Sequence, residues 1–291
     1  MNGQLAGRIA IITGANQGLG LEIAKAYVGE GASLMLCARN ADMLSQVETD
    51  LNLNLAPGQK IVSHVADVSK EADVKAVAAA AFSELGGCDI LVNNAGVYGP
   101  KGNIEDVDWS EWVRAMEVNV FGSVMMTRAV LGHFKARGYG KIVQLSGGGA
   151  TNPLPRISAY ATSKAAIVRF AETLAEEVRG TGIDVNCIAP GALNTRMLDE
   201  IIEAGPERVG QAFYEKSLKQ KEAGGTSLQA GANLAVFLAS AKSDGITGKL
   251  ISAIWDNWEN WHEHREELAR TDAYTLRRIA GRDRGIDWGD K

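Results

Sequence analysis

A short apolar run that leads directly into a glycine-rich turn constrains this chain more than any other stretch. The segment Ile9–Thr13 resembles a buried strand, and Gly14, Gly18 and Gly20 follow it before a helix-like stretch at about 19–29. Glycines permit a tight turn and let backbone amides approach a diphosphate, while the N-terminus of the next helix adds positive potential. The stretch therefore predicts a dinucleotide-binding strand–turn–helix unit, with an ordinary flexible turn as the alternative.

The glycine loop departs from the commonest spacing of such loops. Its glycines follow the order G-x-x-x-G-x-G rather than G-x-G-x-x-G. Because the backbone would still wrap the phosphates at the start of the helix, we expect the cofactor to contact most of the loop. The predicted contacts in this loop are Gly14, Asn16, Gln17, Gly18, Leu19 and Gly20.

The end of the second predicted strand bears on which dinucleotide binds. An acidic residue about 20 residues after the glycine loop commonly binds the ribose 2′-hydroxyl of NAD. That position holds Ala38, and Arg39 follows it. A guanidinium can pair with a 2′-phosphate. The sequence therefore favours NADP(H), with NAD(H) as the alternative if Arg39 is only a surface residue at the end of a strand.

Short apolar runs alternate with longer helical periods along most of the chain. The runs are rich in Val, Ile and Leu throughout, as expected of parallel strands buried on both faces. The predicted strands are Ile9–Thr13, Ser33–Ala38, Ile61–Val65, Ile90–Asn93, Lys141–Leu145, Asp184–Ile188 and Leu250–Ile254, and the predicted helices lie at about 19–29, 41–55, 70–85, 109–137, 160–179 and 228–239. This alternation predicts an α/β fold, a Rossmann-like doubly wound parallel sheet of about seven strands with helices on both faces.

Composition limits the class of protein further. With 291 residues and 46% hydrophobic content, the chain can bury one large core. The net charge of −5 argues against nucleic acid as a partner, and no apolar run is long enough to span a bilayer. We see no secretory signal, and Cys37, Cys88 and Cys187 lie in or beside strand-like segments, which suits buried thiols in a reducing compartment. These features predict a cytoplasmic protein without membrane or nucleic-acid partners.

Tyr160 and Lys164 are the strongest candidates for chemistry. They are four residues apart at the start of an apolar-periodic segment, so on a helix they share a face. A free tyrosine has a pKa of about 10, and a neighbouring positive charge favours the phenolate. The pair predicts a tyrosine that donates and accepts a proton near neutral pH. A surface tyrosine beside a solvated lysine is the alternative that the pair by itself leaves open.

Six motifs in a fixed order give the chain a resemblance to a known family. They are Thr13-Gly14-x-x-x-Gly18-x-Gly20, Asp67-Val68, Asn93-Asn94-Ala95-Gly96, Asn119, Tyr160-x-x-x-Lys164, and Pro190-Gly191 with Thr195. Over about residues 5–254 the chain resembles the short-chain dehydrogenase/reductase (SDR) family. The resemblance implies a nicotinamide dinucleotide as cofactor and a small-molecule carbonyl or alcohol as substrate.

The resemblance also implies which positions contact the cofactor. Besides the glycine loop and Arg39, they are Asp67 and Val68 at the adenine, Asn94, Ala95 and Gly96 after the fourth strand, Pro190, Gly191 and Thr195 on the nicotinamide side, and Tyr160 and Lys164 themselves. In the family, the asparagine motif after the fourth strand stabilises the sheet. Thr195 has a plainer alternative, since it could simply cap the following helix.

Proton transfer is implied for three of the matched residues. Tyr160 would donate its proton to a carbonyl oxygen as hydride arrives from the nicotinamide, and would accept it in the reverse direction. Lys164 would bond the nicotinamide ribose and lower the pKa of Tyr160. Asn119 would hold a water that connects Lys164 to solvent, although it could instead cap or kink its helix.

One position departs from the family pattern. The orienting serine of the family falls, by register from Tyr160, on Gly147, and the nearest serine is Ser146. The glycines that follow would allow a bulge that brings Ser146 into the role. Ser146 is therefore our predicted donor to the substrate oxygen. Thr151 and Ser158 are the fallbacks, and outright loss of the serine is the remaining alternative.

A polar insert, residues 193–227, breaks the strand–helix rhythm. Its acidic and basic residues nearly balance, so they do not indicate an anionic substrate. Long inserts of this type commonly act as lids, and the resemblance implies that this one covers the substrate. Phe213 and Tyr214 would line a substrate pocket or simply pack in the interior.

The tail, residues 255–291, is rich in tryptophan. Trp255, Trp258 and Trp261 are three apart and Trp288 is near the end, so the tail holds four of the six tryptophans of the chain. On a helix the first three form one apolar stripe, which predicts packing on the chain's own domain or on a neighbouring subunit. The histidines of the tail would diverge on a helix, so we expect no metal site.

The sequence thus predicts an SDR domain at 1–254, including the insert, and a tryptophan-rich extension at 255–291. The predicted function is NAD(P)-dependent interconversion of a carbonyl and a secondary alcohol, with Tyr160 as general acid and base. A nucleotide-binding regulatory or scaffolding protein without turnover is one alternative, and an SDR-type epimerase or dehydratase is another. The resemblance implies a homo-tetramer or homo-dimer.

Overall fold

The computed structural model describes residues 3–289. Met1, Asn2, Asp290 and Lys291, where the outer bounds of the two predicted domains fall, lie outside the described residues. The strands are β1 (Ile9–Thr13), β2 (Ser33–Ala38), β3 (Ile61–Val65), β4 (Ile90–Asn93), β5 (Gly140–Leu145), β6 (Ile183–Ala189) and β7 (Leu250–Ser252). The helices are α1 (Gly18–Gly29), α2 (Ala41–Asn52), α3 (Glu71–Ala80), α4 (Trp109–Met116), α5 (Gly122–Arg137), α6 (Ser158–Glu177), α7 (Arg196–Val209), α8 (Gln211–Ala223), α9 (Leu228–Ala239) and α10 (Arg265–Arg270).

The strands form one parallel sheet with the order β3-β2-β1-β4-β5-β6-β7. The chain leaves β1 on one side for β2 and β3, and then returns to the other side of β1 for β4. This reversal opens a crevice at the carboxyl ends of β1 and β4, which is where open α/β sheets bind ligands. The predicted doubly wound sheet of seven strands is confirmed.

Each face of the sheet has its own apolar core. On one face, Ile23 of α1 and Leu234 of α9 are buried against the sheet. On the other face, Val74 of α3, Met126 of α5 and Ile167 of α6 are buried. Both side-chain rows of the central strands therefore meet apolar surroundings, which explains why these strands have no polar alternation in the sequence. The prediction of helices on both faces is confirmed.

Two predicted elements differ from the structure in their extent. The helix predicted at 109–137 is divided into α4 and α5 by a π-helical turn, Glu117–Phe121. Such turns are rare and occur frequently at functional sites. The strand predicted to reach Ile254 stops at Ser252, because the Ser252 hydroxyl accepts hydrogen bonds from the backbone N–H groups of Ile254 and Trp255 and turns the chain.

Part of the tail packs into the chain's own core. Trp258 and Trp261 belong to the same apolar cluster as the sheet residues, whereas the side chains of Trp255 and Trp288 are 84% and 79% exposed. Trp258 also packs against Phe237 of α9, with ring centroids 5.4 Å apart. The three tryptophans therefore do not form the single apolar stripe that their spacing predicted. Trp258 and Trp261 lie in a 3-10 turn that starts after Trp255.

The tail also closes the free edge of β7. The Leu250 N–H donates to the Tyr274 carbonyl at 2.8 Å, and the Ser252 N–H donates to Asp256 Oδ2 at 2.7 Å. The buried Lys249 ammonium donates to two further tail carbonyls, those of Thr271 and Ala273, each at 3.0 Å. None of the helices in residues 3–289 combines the length and the apolar character needed to cross a bilayer.

Candidate active site

Thr13 and Asn94 hold the glycine loop at the crevice. The Asn94 Nδ2 amide donates to the carbonyls of Thr13 and Gly14 at 2.9 and 3.0 Å. The Thr13 hydroxyl accepts the backbone N–H groups of Asn94 and Ala95, each at 3.0 Å. These bonds join the end of β1 to the end of β4, so they fix the loop on the rigid part of the sheet.

Steric constraints in the loop explain its glycines. Gly14 and Gly18 have φ angles of 64° and 56°, which side chains rarely adopt. Gly20 has no such angle, but a Cβ atom there would overlap the Gly14 carbonyl oxygen and the Asn94 amide. α1 then starts at Gly18, and the side chain of Gln17 makes no capping hydrogen bond. The amides of the first turn therefore remain available to a diphosphate, as dinucleotide binding requires.

The residues predicted for the adenosine side lie past the ends of β2 and β3. Arg39 is exposed directly after β2, next to Asn40, which caps α2 by accepting the Met43 N–H. Asp67 follows β3 and forms an ion pair with Arg114. Burial alone would raise the pKa of the Asp67 carboxyl, but hydrogen bonds from Ser69 and Arg114 outweigh it and hold the pKa below its usual range.

Val68 completes this side of the site. It is buried, and a Cβ atom on Gly122 would stand 2.8 Å from Val68 Cγ2. Gly122 thus lets the start of α5 approach the segment after β3 closely. Asp67 and Val68 therefore both lie just past the carboxyl end of β3.

The residues predicted for the nicotinamide side converge on the loop from β6 and α7. Pro190 follows β6, and a Cβ atom on Gly231 would touch both Pro190 and Leu19. Thr195 precedes α7, and its Cγ2 lies 3.5 Å from the point where a Cβ on Gly18 would stand. The structure therefore brings Leu19, Pro190 and Thr195 together around the first turn of α1.

Asn119 lies inside the π-helical turn and is almost fully buried. Its Oδ1 accepts the Val97 N–H at 2.8 Å, and its Nδ2 donates to the Val97 carbonyl at 2.8 Å and to Ser163 Oγ at 2.9 Å. Ser163 Oγ in turn donates to the Tyr160 carbonyl at 2.7 Å. Asn119 therefore links the segment after β4 to the first turns of α6, which carry the tyrosine.

Lys164 is buried one helical turn after Tyr160. Its Nζ donates to the Leu145 carbonyl at the end of β5, at 2.7 Å. A Cβ atom on Gly96 would stand 3.7 Å from this nitrogen and 3.3 Å from Asn119 Oδ1. Burial lowers the pKa of Lys164 to about 8, because the charged ammonium loses its hydration.

Tyr160 shares a face of α6 with Lys164, as predicted, and its ring centroid lies 5.5 Å from Lys164 Nζ. The prediction that Lys164 lowers the pKa of Tyr160 is wrong. The pKa of Tyr160 is raised, chiefly because burial penalises the phenolate and secondarily because of Tyr98. The lysine ammonium is turned towards the Leu145 carbonyl, and its charge does not offset the burial of the phenol.

The bulge that would bring Ser146 to the tyrosine is not formed. The Ser146 N–H donates to the Ile188 carbonyl at 2.9 Å, which continues the pairing of β5 with β6. The Ser146 hydroxyl is buried and has no hydrogen-bond partner among the described residues. Gly147, in contrast, faces the phenol directly, since a Cβ atom there would stand 2.6 Å from the Tyr160 hydroxyl oxygen.

The two fallback residues have other surroundings. The Ser158 hydroxyl accepts the indole N–H of Trp112 at 3.1 Å. Thr151 is exposed, and its hydroxyl accepts the Asn152 side-chain amide at 3.0 Å. Ser146, Thr151 and Ser158 are therefore all absent from the hydrogen-bond partners of Tyr160 in the described chain.

The insert forms α7 and α8, and both helices contribute to an apolar cluster with the tyrosine. Ile201 and Val209 of α7 are buried, and Phe213 and Tyr214 of α8 are half-buried, in one apolar cluster with Tyr160. At its base, the insert is closed by a bridge between Leu193 and Thr226.

Several residues at the site were missed from the sequence. Tyr98 packs against Tyr160 with ring centroids 4.6 Å apart, and nothing in its local sequence indicates this contact. Ser163 and Arg114 gain their roles only through the approach of distant segments. Thr13 was part of the glycine-loop motif, and its role as acceptor could have been found, because a hydroxyl at the end of a strand before such a loop is well placed to accept backbone N–H groups.

The parallel sheet, the glycine loop and the Tyr160–Lys164 pair at its carboxyl edge define an α/β protein with a Rossmann-like fold. A family model described as short chain dehydrogenase matches residues 8–205. The chain is 30% identical over 247 residues to dehydrogenase/reductase SDR family member 4 of Sus scrofa, which covers 85% of this chain and 86% of that protein.

Two solved structures show the same likeness. L-sorbose reductase of Gluconobacter frateurii, complexed with NADPH and L-sorbose, has a TM-score of 0.77 and 31% identity, covering 87% of this chain and 97% of that one. An NAD⁺-bound xylitol dehydrogenase has a TM-score of 0.78 and 25% identity, covering 85% and 98%. The chain belongs to the short-chain dehydrogenase family, whose members are oxidoreductases that act on CH–OH groups. The two structures hold different nicotinamide nucleotides, so the likeness does not choose between them.

Proposed function

We propose that this chain interconverts a carbonyl group and a secondary alcohol with NADP(H) as the preferred cofactor, and that Tyr160 is the general acid and base. The observation that carries the proposal is the position of the Tyr160 hydroxyl. It stands over Gly147 at the carboxyl end of β5, on the same face of α6 as the buried Lys164 and beside the crevice that the glycine loop borders.

The chain's residues fit a dinucleotide and a proton transfer. When bound, the nicotinamide supplies hydride to the carbonyl carbon or accepts it from the alcohol. Tyr160 donates its proton to the carbonyl oxygen in reduction and removes it in oxidation. Lys164 binds the nicotinamide ribose, while Asn119 holds the start of α6 in place and a water between Lys164 and solvent.

The preference for NADP(H) is supported by the end of β2. Ala38 stands where an acid would accept the ribose 2′-hydroxyl, and the exposed Arg39 follows it. A guanidinium there can pair with a 2′-phosphate through charge-assisted hydrogen bonds. The remaining predicted contacts, at the adenine and at the nicotinamide, belong to the same proposal.

We propose further that the protein works in the cytoplasm as a homo-dimer or homo-tetramer. The three cysteines are free and buried, which suits a reducing compartment. On α4 and the turn after it, Trp109 and Phe121 are 67% and 53% exposed, and Trp109 stacks on Trp112. Aromatic side chains of this kind are enriched in protein interfaces. Light scattering after size-exclusion chromatography measures the oligomeric state directly.

Replacement of Tyr160 by Phe tests the reaction. We expect oxidation of NADPH by carbonyl compounds, followed at the nicotinamide absorbance, to fall by about 10²–10⁴-fold, because the proton donor is lost. Binding of NADPH, measured by calorimetry, should persist. Equal turnover in the variant would remove Tyr160 from the mechanism. If the wild type binds NADPH but none of the carbonyl compounds assayed oxidises it, the result favours the regulatory or scaffolding alternative.

A further inference from the structure

On the side of the insert, Tyr160 packs with an apolar cluster of side chains. The cluster contains Tyr98, Leu154, Ile157, Ile201, Ala204, Val209, Phe213 and Tyr214 together with Tyr160. The polar side-chain atoms in this set are phenol hydroxyls. A substrate whose carbonyl oxygen reaches the Tyr160 hydroxyl would lie beside this cluster, because Tyr98 packs on the Tyr160 ring and residues of the insert belong to the same cluster.

Charged residues beside the cluster are engaged with one another at its rim. Lys101 Nζ lies 5.7 Å from the Tyr98 ring centroid and forms an ion pair with Glu200 of α7 at 3.5 Å. Arg196 approaches the same carboxylate at 3.6 Å. The Lys101 and Glu200 side chains are only 16% and 31% exposed, so the pair is largely sheltered from solvent. The Lys101 ammonium is therefore already engaged by the Glu200 carboxylate.

Arg156 is engaged at the other end of α7. It donates to the Glu207 carbonyl, and its side chain also contacts the region of Gly210. Its φ of 67° is uncommon for a residue with a side chain, so tertiary contacts hold the backbone in this conformation. Arg156 thus connects the segment before α6 to the junction of α7 and α8, and its guanidinium is directed to backbone rather than to the phenol.

We infer that the substrate of this site is an uncharged, predominantly apolar carbonyl compound or the corresponding alcohol; the inference rests on the proposed function of the same site. Apolar walls gain free energy from burying apolar surface, and apart from its phenol hydroxyls the cluster offers no partner to additional hydroxyl groups or to a carboxylate. Polyhydroxylated and anionic substrates therefore lose hydrogen bonds to water that the cluster does not replace.

Three ketones test this inference with the wild-type enzyme and NADPH. 4-Methylcyclohexanone and 4-oxocyclohexanecarboxylate differ only in a methyl against a carboxylate group, and L-sorbose supplies a polyhydroxylated ketone. We expect kcat/KM for 4-methylcyclohexanone to exceed that of each of the others by at least about 100-fold. An equal or higher kcat/KM for the carboxylate or the ketose overturns the inference while leaving the proposed reaction intact.

Binding separates failure of the inference from failure of the reaction. Saturation-transfer NMR of the three ketones with the enzyme–NADP⁺ complex reports binding without turnover. If none is reduced but 4-methylcyclohexanone alone binds, the inference holds and the proposed reaction fails. If 4-methylcyclohexanone neither reacts nor binds, the inference is overturned.

Phe213→Ala tests whether the apolar cluster forms the substrate pocket. We expect a rise in KM for 4-methylcyclohexanone of about tenfold with a much smaller change in kcat, since Phe213 would contribute apolar contact rather than chemistry. Phe82→Ala is the matched control. Phe82 stacks on His133, 4.8 Å away, in the turn that leads to the amino end of β4, so its loss should leave KM unchanged. A parallel rise of KM in both variants contradicts the assignment of the pocket to the cluster.

Discussion

The Tyr160 hydroxyl oxygen lies 2.6 Å from the point at which a Cβ atom on Gly147 would stand. Gly147 has φ 177° and ψ 175°, an extended conformation that any residue can adopt. The glycine is therefore required for space and not for its backbone conformation. A side chain at position 147 would overlap the phenol of Tyr160 in its observed position.

Gly147→Ala should consequently displace the phenol. A shift of about 1 Å in a reacting group costs about 100-fold in rate, so we expect kcat to fall by about 10–100-fold. The affinity for NADPH, measured by calorimetry, should change by less than about twofold. Gly148→Ala is the matched control, because a Cβ atom on Gly148 meets nothing within 4 Å. Full activity in Gly147→Ala would mean that the phenol has another productive position.

Ser146→Ala examines the neighbouring serine. Removal of a hydrogen-bond donor to the developing oxyanion costs about 10²–10³-fold in kcat. The Ser146 hydroxyl is buried and without a partner among residues 3–289. We therefore expect a change in kcat of less than about threefold. A loss of two orders of magnitude would restore Ser146 to the orienting role that its sequence position suggested.

Lys164 should make the free energy of unfolding depend on pH. Its pKa is about 8 in the folded chain against 10.5 for an ordinary lysine. The unfolded chain therefore binds more protons between these pH values, and the unfavourable contribution of Lys164, complete below pH 8, disappears as the pH rises to 10.5. The free energy of unfolding of the wild type should therefore rise by up to about 3 kcal/mol across this pH window, relative to that of Lys164→Met. Urea unfolding of both proteins at pH 7, 8.5 and 10 measures the difference, and a constant difference contradicts the assignment.

Arg39→Ala tests the choice of nucleotide. If the guanidinium pairs with the 2′-phosphate, the Kd for NADPH should rise by about 10–100-fold while the Kd for NADH stays within about twofold. Arg270→Ala, which removes another exposed arginine from the tail, controls for the change in net charge. If Arg39→Ala weakens the binding of both nucleotides equally, or of neither, Arg39 is a surface residue that does not contact the 2′-phosphate.

Gly20→Ala should disrupt the cofactor loop. The added methyl group overlaps the Gly14 carbonyl and the Asn94 amide, so the loop must move away from the end of β4. We expect nucleotide affinity to fall by at least about tenfold, or about 1.4 kcal/mol. Gly132→Ala in α5 has free space around it and should keep the affinity while stabilising its helix by up to about 1 kcal/mol. Unchanged binding in Gly20→Ala would show that the loop tolerates the shift.

Trp258 and Trp255 form a matched pair for the tail. Trp258 is buried against Phe237, and its indole N–H donates to the Ala253 carbonyl at 3.3 Å. Trp258→Ala should lower the free energy of unfolding by about 3–5 kcal/mol. Trp255→Ala should change it by no more than about 0.5 kcal/mol, since the side chain is exposed. Similar effects of the two substitutions on chemical denaturation would contradict own-chain packing of the tail.

The sheet could be predicted from sequence because its signals are local. Each strand is an apolar run of its own, and the loop from Gly14 to Gly20 is contiguous, so strand order follows from the reversal typical of this fold. The four-residue spacing of Tyr160 and Lys164 likewise fixes their common face before any tertiary structure is known.

The surroundings of the phenol could not be predicted, because they depend on how distant segments approach it. Gly147 and Tyr98 meet Tyr160 only after β5, α6 and the segment that follows β4 have assembled. The raised pKa of Tyr160 follows from the same packing, since burial is its main cause and Tyr98 adds to it. Asn119 was identified by motif, but the π-helical turn that directs its amide to Val97 has no local signal in the sequence.

The bonds from Leu250 and Ser252 to the tail have a consequence for any shortened form of the protein. An outer strand with unpaired N–H groups is a template for pairing with foreign strands. A chain cut after Ile254, where the resemblance to the family ends, would lose the Tyr274 carbonyl and the Asp256 carboxylate that occupy these donors. We therefore expect recombinant versions that lack the tryptophan-rich extension to self-associate through this edge of the sheet more than the full chain does.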